Sequence, residues 1–226
     1  MATALHAATR SCCSDGTAEM NVSEPQALAW VCWWTQGWRQ AHDSWQLHDS
    51  AGMNASTLKL LGQVDDTLVD RYLGMTSTLP PAPDALLLPL LDLNDEQWAL
   101  ALELCAGICA GSRMPRPDSL DEPAWLWCRR LGRALQPGRW LPEHWDARQS
   151  RVAGLGLLKA WVGDRLWQRL RVRFARDAVG QAECLSLDDI PKARLCALWQ
   201  AVGGYVLSNS IEGSPHVDQS QSDAYQ

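Results

Sequence analysis

The chain reads as a mainly α protein, a single-domain irregular helical bundle. Two observations predict that class. Apolar residues recur at three- and four-residue spacing, as in Leu58, Leu61, Val64, Leu68 and Tyr72, which is the periodicity of an amphipathic helix. Helix-starting signals also precede several apolar runs: Glu24-Pro25, Asn94 to Gln97, Ser119 to Glu122 and Ser186 to Asp189. One stretch argues otherwise. Arg169, Arg171 and Arg173 alternate with Leu170, Val172 and Phe174, and period two marks a half-buried strand. A small β-hairpin over 169–187, with 182–187 as its second strand, therefore stands open beside a helix there.

Taken in order, residues 1–24 are small, polar and aperiodic, and read as a flexible leader. Glu24-Pro25 opens a helix to about Trp38, with Leu28, Val31, Cys32 and Trp34 assigned to its buried side. Proline suits the first turn because the N–H it lacks has no helical partner there. The helical pattern of Leu58 to Tyr72 follows. Met75 to Asp84, with Pro80, Pro81 and Pro83, reads as a stiff extended linker and the best place for a subdomain boundary within the 25–207 helical domain. Asn94, with Gln97 three residues on, caps a helix through Trp98, Leu102, Cys105, Ile108 and Cys109. That helix ends in small residues that permit a close neighbour. Ser119-x-x-Glu122 opens the next, with Trp125, Cys128 and Leu131 on one face and Arg129, Arg130 and Arg133 elsewhere. After the Trp140–Trp145 turn, a helix runs from about Ala147 to Val162. Gly154 and Gly156 weaken it by about 1 kcal/mol each relative to Ala, a cost that close packing would offset. The last helix carries Leu195, Leu198, Trp199 and Val202 and ends near Gly203-Gly204, and 208–226 read as a disordered tail.

Composition narrows the function classes. The chain has 226 residues, 46% hydrophobic and 20% charged, a globular balance. It holds 13 Trp against 3 Tyr and 1 Phe, so Trp serves as the large core filler or, at some positions, as an interface anchor. The net charge of −6 conceals an asymmetry: residues 1–110 carry 4 basic and 13 acidic side chains, residues 129–176 carry 12 basic and 3 acidic ones. Such a basic block faces nucleic acid, an acidic protein, or the chain's own acidic half. The start of the chain lacks the pattern of a signal peptide, and no apolar run approaches the ~20 residues of a membrane span. The 8 Cys are accordingly expected to be reduced thiols in a cytoplasm.

No constellation of catalytic residues accompanies this. Cys105 and Cys109 lie one helical turn apart, but a zinc site needs about four ligands, and only Cys128 and His144 are near in sequence. The expectation is no metal and no cofactor. His144, between Glu143 and Trp145, has neither the nucleophile nor the orienting acid of a catalytic histidine beside it. The arginines are the sharper feature. On a strand, Arg169, Arg171 and Arg173 would all point to one face, a row of bidentate donors for carboxylates or phosphates. That row, with Arg165, Trp140, His144 and Trp145, is the candidate partner-binding site. It is weighed against a solvated strand face paired with the acidic N-terminal half.

The stretch from Gly138 to Arg173 carries a resemblance. It reads Gly138-Arg139-Trp140-Leu141-Pro142-Glu143-His144-Trp145, then Ser150-Arg151, an apolar segment to Trp161, and Trp167-Gln168-Arg169-Leu170-Arg171-Val172-Arg173. This order of parts resembles the YscK/SctK family, the accessory sorting-platform proteins of bacterial type III secretion systems. Looser likenesses lie in the leucine-rich 86–110 segment and at Trp38-Arg39, and Leu141 is an extra residue in the turn. The resemblance implies a cytoplasmic, mainly helical protein without enzymatic activity. It implies an adaptor at the base of the secretion apparatus, bridging the forkhead-associated-like domain of the ring protein SctD to the pod protein SctQ, with SctL and the ATPase SctN as indirect partners. Neither nucleic acid nor membrane insertion belongs to that reading. The rivals are a helical nucleic-acid-binding or regulatory protein using the basic 129–176 block, and a type III secretion chaperone.

Overall fold

The computed structural model of the protein describes residues 22–45, 60, 66–110, 115–143, 145–187 and 189–212. Among them the fold is helical and contains no strand. The helices are α1 (Glu24–Gln36), α2 (Asp66–Tyr72), α3 (Leu88–Leu91), α4 (Asp95–Ala110), α5 (Glu122–Leu135), α6 (Ser150–Leu170), α7 (Arg176–Glu183) and α8 (Lys192–Glu212). Short 3-10 turns occupy Gly37–Gln40, Asp43–Trp45, Pro137–Arg139 and Arg171–Arg173.

The helix starts follow their caps. Asn94 and Gln97 cap reciprocally: Gln97 Oε1 accepts from the Asn94 amide at 2.7 Å, and Asn94 Oδ1 from the Gln97 amide at 2.9 Å. Ser23 and Gln26 make the corresponding amide bond at α1, at 2.9 Å. At α5 the cap is Asp121 and not Ser119, its carboxylate accepting from the Ala124 amide at 2.8 Å. Each bond satisfies an amide that the first helical turn leaves without an intrahelical partner.

Helix α4 is the axis of the bundle and packs against α5, α6 and α8. It is apolar nearly all round: of its ten buried residues between Trp98 and Cys109 only Glu103 is charged, and Arg151 Nε meets it at 3.1 Å. Two glycines set the helix spacing. A Cβ on Gly154 would lie 2.5 Å from Leu102 O, and one on Gly132 would lie 2.6 Å from Ile108 O. Backbone thus meets backbone, and the conformational cost of glycine in a helix is offset by this approach. A chain of rings ties the other contacts together. Phe174 meets Trp98 edge-on at 5.3 Å, Trp98 tilts against Trp199 at 6.5 Å, and Trp199 stacks on Trp161 at 5.5 Å.

Helix α6 is two helices in line. Gly163 has φ 76 and ψ 166, outside helical geometry, so the turn before it loses intrahelical partners for its carbonyls. Lys192 at the start of α8 supplies them, donating to Ala160 O at 2.5 Å and Trp161 O at 2.9 Å. The 150–162 part ends where the sequence reading ended the helix; beyond the kink the chain resumes as helix to Leu170.

That resumption corrects the hairpin. Residues 169–173 are the end of α6 and a 3-10 turn, and 182–187 are the end of α7 and the loop after it. The alternation misled because it counts arginine as outward-facing. Here Arg169 is 4% exposed alongside the buried Leu170, Val172 and Phe174. Two further assignments change phase. In α1 the buried residues are Trp30 and Trp34, whereas Leu28 is 64% and Val31 43% exposed and Cys32 faces solvent. In α2, Val69 and Asp70 turn inward and Leu68 outward, and Leu73 just after the helix is buried as well; the Leu58, Leu61 and Val64 positions lie outside the described residues. Helix α8 runs through Gly203-Gly204 to Glu212, so 208–212 are helix and not tail. Gly203 is retained by packing, since a Cβ there would sit 2.9 Å from Leu90 Cδ2.

The glycine contacts yield a paired expectation for urea unfolding. Gly154→Ala must push α4 and α6 apart and should destabilise by about 2 kcal/mol. Gly180→Ala, in α7 with nothing within 4 Å of its would-be Cβ, should instead stabilise by about 0.5–1 kcal/mol. Equal effects of the two changes would show that backbone approach does not set the α4–α6 spacing.

Candidate protein-docking site

The arginine row does not form one face. From the end of α6 and the turn after it, the four guanidiniums diverge, and each is drawn into the N-terminal half of the chain. Arg169 makes a two-pronged bond to Asp70, Nη1 to Oδ1 at 2.8 Å and Nη2 to Oδ2 at 2.7 Å, and donates to Thr76 O at 3.1 Å. Both side chains of this pair are buried, at 4% and 8% exposure. Arg165 donates to Leu79 O at 2.6 Å. Arg171 reaches Glu183 Oε1 at 3.0 Å and Leu73 O at 3.2 Å. Arg173 donates to Gln40 Oε1 at 2.8 Å, Leu91 O at 2.9 Å and Leu93 O. Burial pulls the Arg173 guanidinium down from its ordinary value, and Asp95 and Asp92 oppose the shift.

Tryptophans complete the cage. The Trp34 ring lies under both Arg169, at 4.8 Å, and Arg165, at 5.8 Å. Trp45 does the same for Arg171 at 5.5 Å and Arg176 at 5.6 Å, an arrangement in which the ring face attracts the cation. The indole N–H groups point the other way: Trp30 to Pro81 O and Trp34 to Thr78 O at 2.8 Å each, and Trp45 to Phe174 O at 2.7 Å. Met75 to Asp84, read from the sequence as a linker, is therefore an extended strap. Trp30, Trp34, Arg165 and Arg169 hold its carbonyls, and Gln168 takes the Thr76 amide at 3.2 Å.

Trp140 and Trp145, the other proposed site residues that are described, also pack within the fold. Trp140 is half-buried against the main core and donates to Leu135 O at 2.9 Å, closing the turn after α5. Trp145 packs on the same core. His144 lies outside the described residues. Cys105 and Cys109 of α4 are joined by Cys128 of α5; all three are buried. Burial pushes the Cys105 and Cys109 thiols up strongly and the Cys128 thiol up to about 12, which keeps them protonated and poor metal ligands. Among the described residues, no group of three His, Cys, Asp or Glu is placed to hold a metal ion.

Two solvent-facing surfaces stand apart from this internal wiring. One is the outer face of α1, where Leu28, Val31 and Cys32 are exposed. Leu79, on the strap that Trp30 and Trp34 hold, is 84% exposed. A groove of about 490 Å³ runs along α1 beside α3, lined by Ala29, Cys32, Trp33, Leu88, Pro89 and Asp92 among others. The second is the outer face of α5, where the exposed Arg129, Arg130 and Arg133 follow the 45% exposed Leu126 along one side of the helix. The sequence reading assigned Leu28, Val31 and Cys32 to the core and folded the α5 arginines into one basic block. Helical position alone separates the latter, since 126, 129, 130 and 133 share one face. No family model matches the chain, and no curated protein and no solved structure matches it. Among the described residues no helix is long and apolar enough to cross a membrane.

Two measurements check this wiring. Asp70→Ala leaves the buried Arg169 charge unpaired and should cost about 3–5 kcal/mol in thermal or urea unfolding. The Asp70→Leu/Arg169→Met double variant should recover most of that loss; full loss in the double variant would mean the pair is not the source of the cost. In a chain with Cys12 and Cys13 replaced by Ser, a thiol-reactive disulfide reagent should modify Cys32 and Cys184 quickly. Cys105, Cys109 and Cys128 should react only on unfolding, because they are buried and un-ionised, and Cys196 is partly buried; fast reaction of four or more thiols in the native state would contradict that.

Proposed function

We propose that the chain is a non-enzymatic adaptor of a type III secretion sorting platform, cytoplasmic and peripheral to the inner membrane. On this reading it links an SctD-like ring protein to an SctQ-like pod protein, with SctL-like and ATPase subunits reached indirectly. The resemblance of Gly138–Arg173 to YscK/SctK proteins suggests the system. The observation that carries the adaptor role is the exposed apolar face of α1. An apolar helix surface that the fold itself leaves uncovered is the kind of surface a protein partner buries. Its support is rigid, because Trp30 and Trp34 pin α1 from behind. An adaptor also needs a second, separate surface, and α5 offers one of different chemistry, packed on α4 while α1 packs on α3.

The nucleic-acid rival draws less from this molecule than from its sequence. Arg165, Arg169, Arg171 and Arg173, a third of the basic block, spend their N–H groups on the chain's own carbonyls and carboxylates.

Calorimetric titration with the cytoplasmic domain of the cognate SctD-like protein and with the SctQ-like protein tests the proposal. Both should bind. Leu28→Glu/Val31→Glu should abolish one of the two interactions and leave the other, together with the helical circular dichroism, unchanged. Binding to neither protein by a folded sample would sink the adaptor reading.

A further inference from the structure

From Pro123 to Pro142 the chain has four arginines, at 129, 130, 133 and 139, and no acidic residue. Three of them lie on α5, whose inner side is fixed: Ala124, Trp125, Cys128 and Gly132 are buried, and Gly132 is pressed against the backbone of α4. The helix cannot roll without opening that contact. Leu126, Arg129, Arg130 and Arg133 follow i, i+3, i+4 and i+7 and share the outward face. Arg139 follows in the turn beyond and is likewise exposed. Among the described residues none of these four guanidiniums has a side-chain hydrogen bond or ion pair. The contrast with 165–173 is complete, since there every arginine is engaged. Proximity to the helix C-terminus accounts for Arg133, in the last turn; it does not account for Arg129 and Arg130, further back.

We propose that this face of α5 is a docking surface for an acidic protein segment, with Leu126 seated against an apolar side chain and the arginines taking carboxylates around it. Arginine is enriched in protein interfaces, and here three arginines follow an exposed leucine along one helix face. Guanidinium forks match carboxylates with two parallel bonds. Phosphate backbone fits less well. A single-stranded nucleic acid would want aromatic platforms beside the cations, and Trp127 of α5 is instead held 4.5 Å from Tyr205 of α8; a duplex would want more cations along its phosphates than this short face carries. The proposal deepens the adaptor reading by naming the chemistry of one contact, and rests on it for the partner being a protein.

The test uses the full chain and two variants, Arg129→Glu/Arg130→Glu/Arg133→Glu and the gentler Arg129→Gln/Arg130→Gln/Arg133→Gln. The probes are a poly-glutamate peptide, a DNA duplex of equal charge, and the SctD-like and SctQ-like proteins. The wild-type chain should bind poly-glutamate at low salt, and binding should weaken as salt shortens the screening length. The glutamine variant should lose on the order of tenfold in affinity and the glutamate variant more. One of the two proteins should show the same losses. Unchanged poly-glutamate binding in the glutamine variant overturns the proposal, as does tighter binding of the duplex. Loss of poly-glutamate binding with neither protein bound by the wild type keeps the acidic-partner surface and removes the secretion adaptor. Both proteins bound equally by all three chains keeps the adaptor and removes this surface.

Discussion

A buried guanidinium needs a counter-charge and hydrogen-bond acceptors, and meeting that need at Arg169 organises the flank of this fold. Arg169 sits 4% exposed between a carboxylate and an indole ring. The pairing crosses 99 residues of sequence, so it can form only when the end of α6 has met α2. On the Met75–Asp84 strap, Arg169 binds Thr76 O and Arg165 binds Leu79 O; Arg171 and Arg173 bind carbonyls just outside it, at Leu73 and Leu91. Carbonyls in an extended, proline-rich strap have no helix or sheet to satisfy them, and burial without partners would be costly. The arginines and the strap each solve the other's problem. The charge asymmetry of the sequence, acidic at the start and basic in the second half, is thus partly an internal device.

The opposite solution governs the centre of the molecule. Around α4 the contacts are apolar and close, and small residues do the spacing. Gly132 and Gly154 let α5 and α6 approach until a single methyl would touch a backbone oxygen. Where the close packing is interrupted, at Gly163, the freed carbonyls meet a side chain from another helix, Lys192. The fold therefore has a tightly packed centre and a hydrogen-bonded flank, joined at the rings of Phe174, Trp98, Trp199 and Trp161.

This division explains what could be read from the sequence. Where burial is apolar, periodicity and capping chemistry were enough: the Asn94 cap, the faces of α4 and α8, and the end of regular helix at Val162 appear as expected. Where burial is polar, they were not. Period-two alternation at 169–174 assumes that arginine faces water, and three-four periodicity in α1 groups the buried Trp34 with Leu28 and Val31, where the fold groups it with Trp30. The tryptophans win because their indole N–H groups bind the strap and their ring faces seat arginines, gains that a leucine cannot offer. Asp70 was overlooked for the same reason, since a carboxylate among apolar residues is legible only once its partner is known. The same assumption bears on the candidate site: Arg165, Arg169, Arg171 and Arg173 are engaged within the fold, and the α5 arginines are legible in the sequence only as part of a block.

The phase of α1 then carries a consequence for function. A helix that is apolar on every side is ordinarily buried on every side. Turning α1 to bury Leu28 and Val31 would break two indole hydrogen bonds and unseat Arg165 and Arg169, so the fold holds the apolar face outward. The α5 face is held outward just as firmly, by Gly132 against α4. If these two faces take two different proteins, they do so by forces with different dependences. Apolar burial is nearly indifferent to ionic strength, whereas arginine–carboxylate contacts at a surface weaken within a Debye length of about 8 Å at physiological salt. One partner would then stay through changes of ionic conditions that release the other. An adaptor built this way keeps a fixed attachment at one end and an exchangeable one at the other without any moving part, because the difference resides in the chemistry of the two faces.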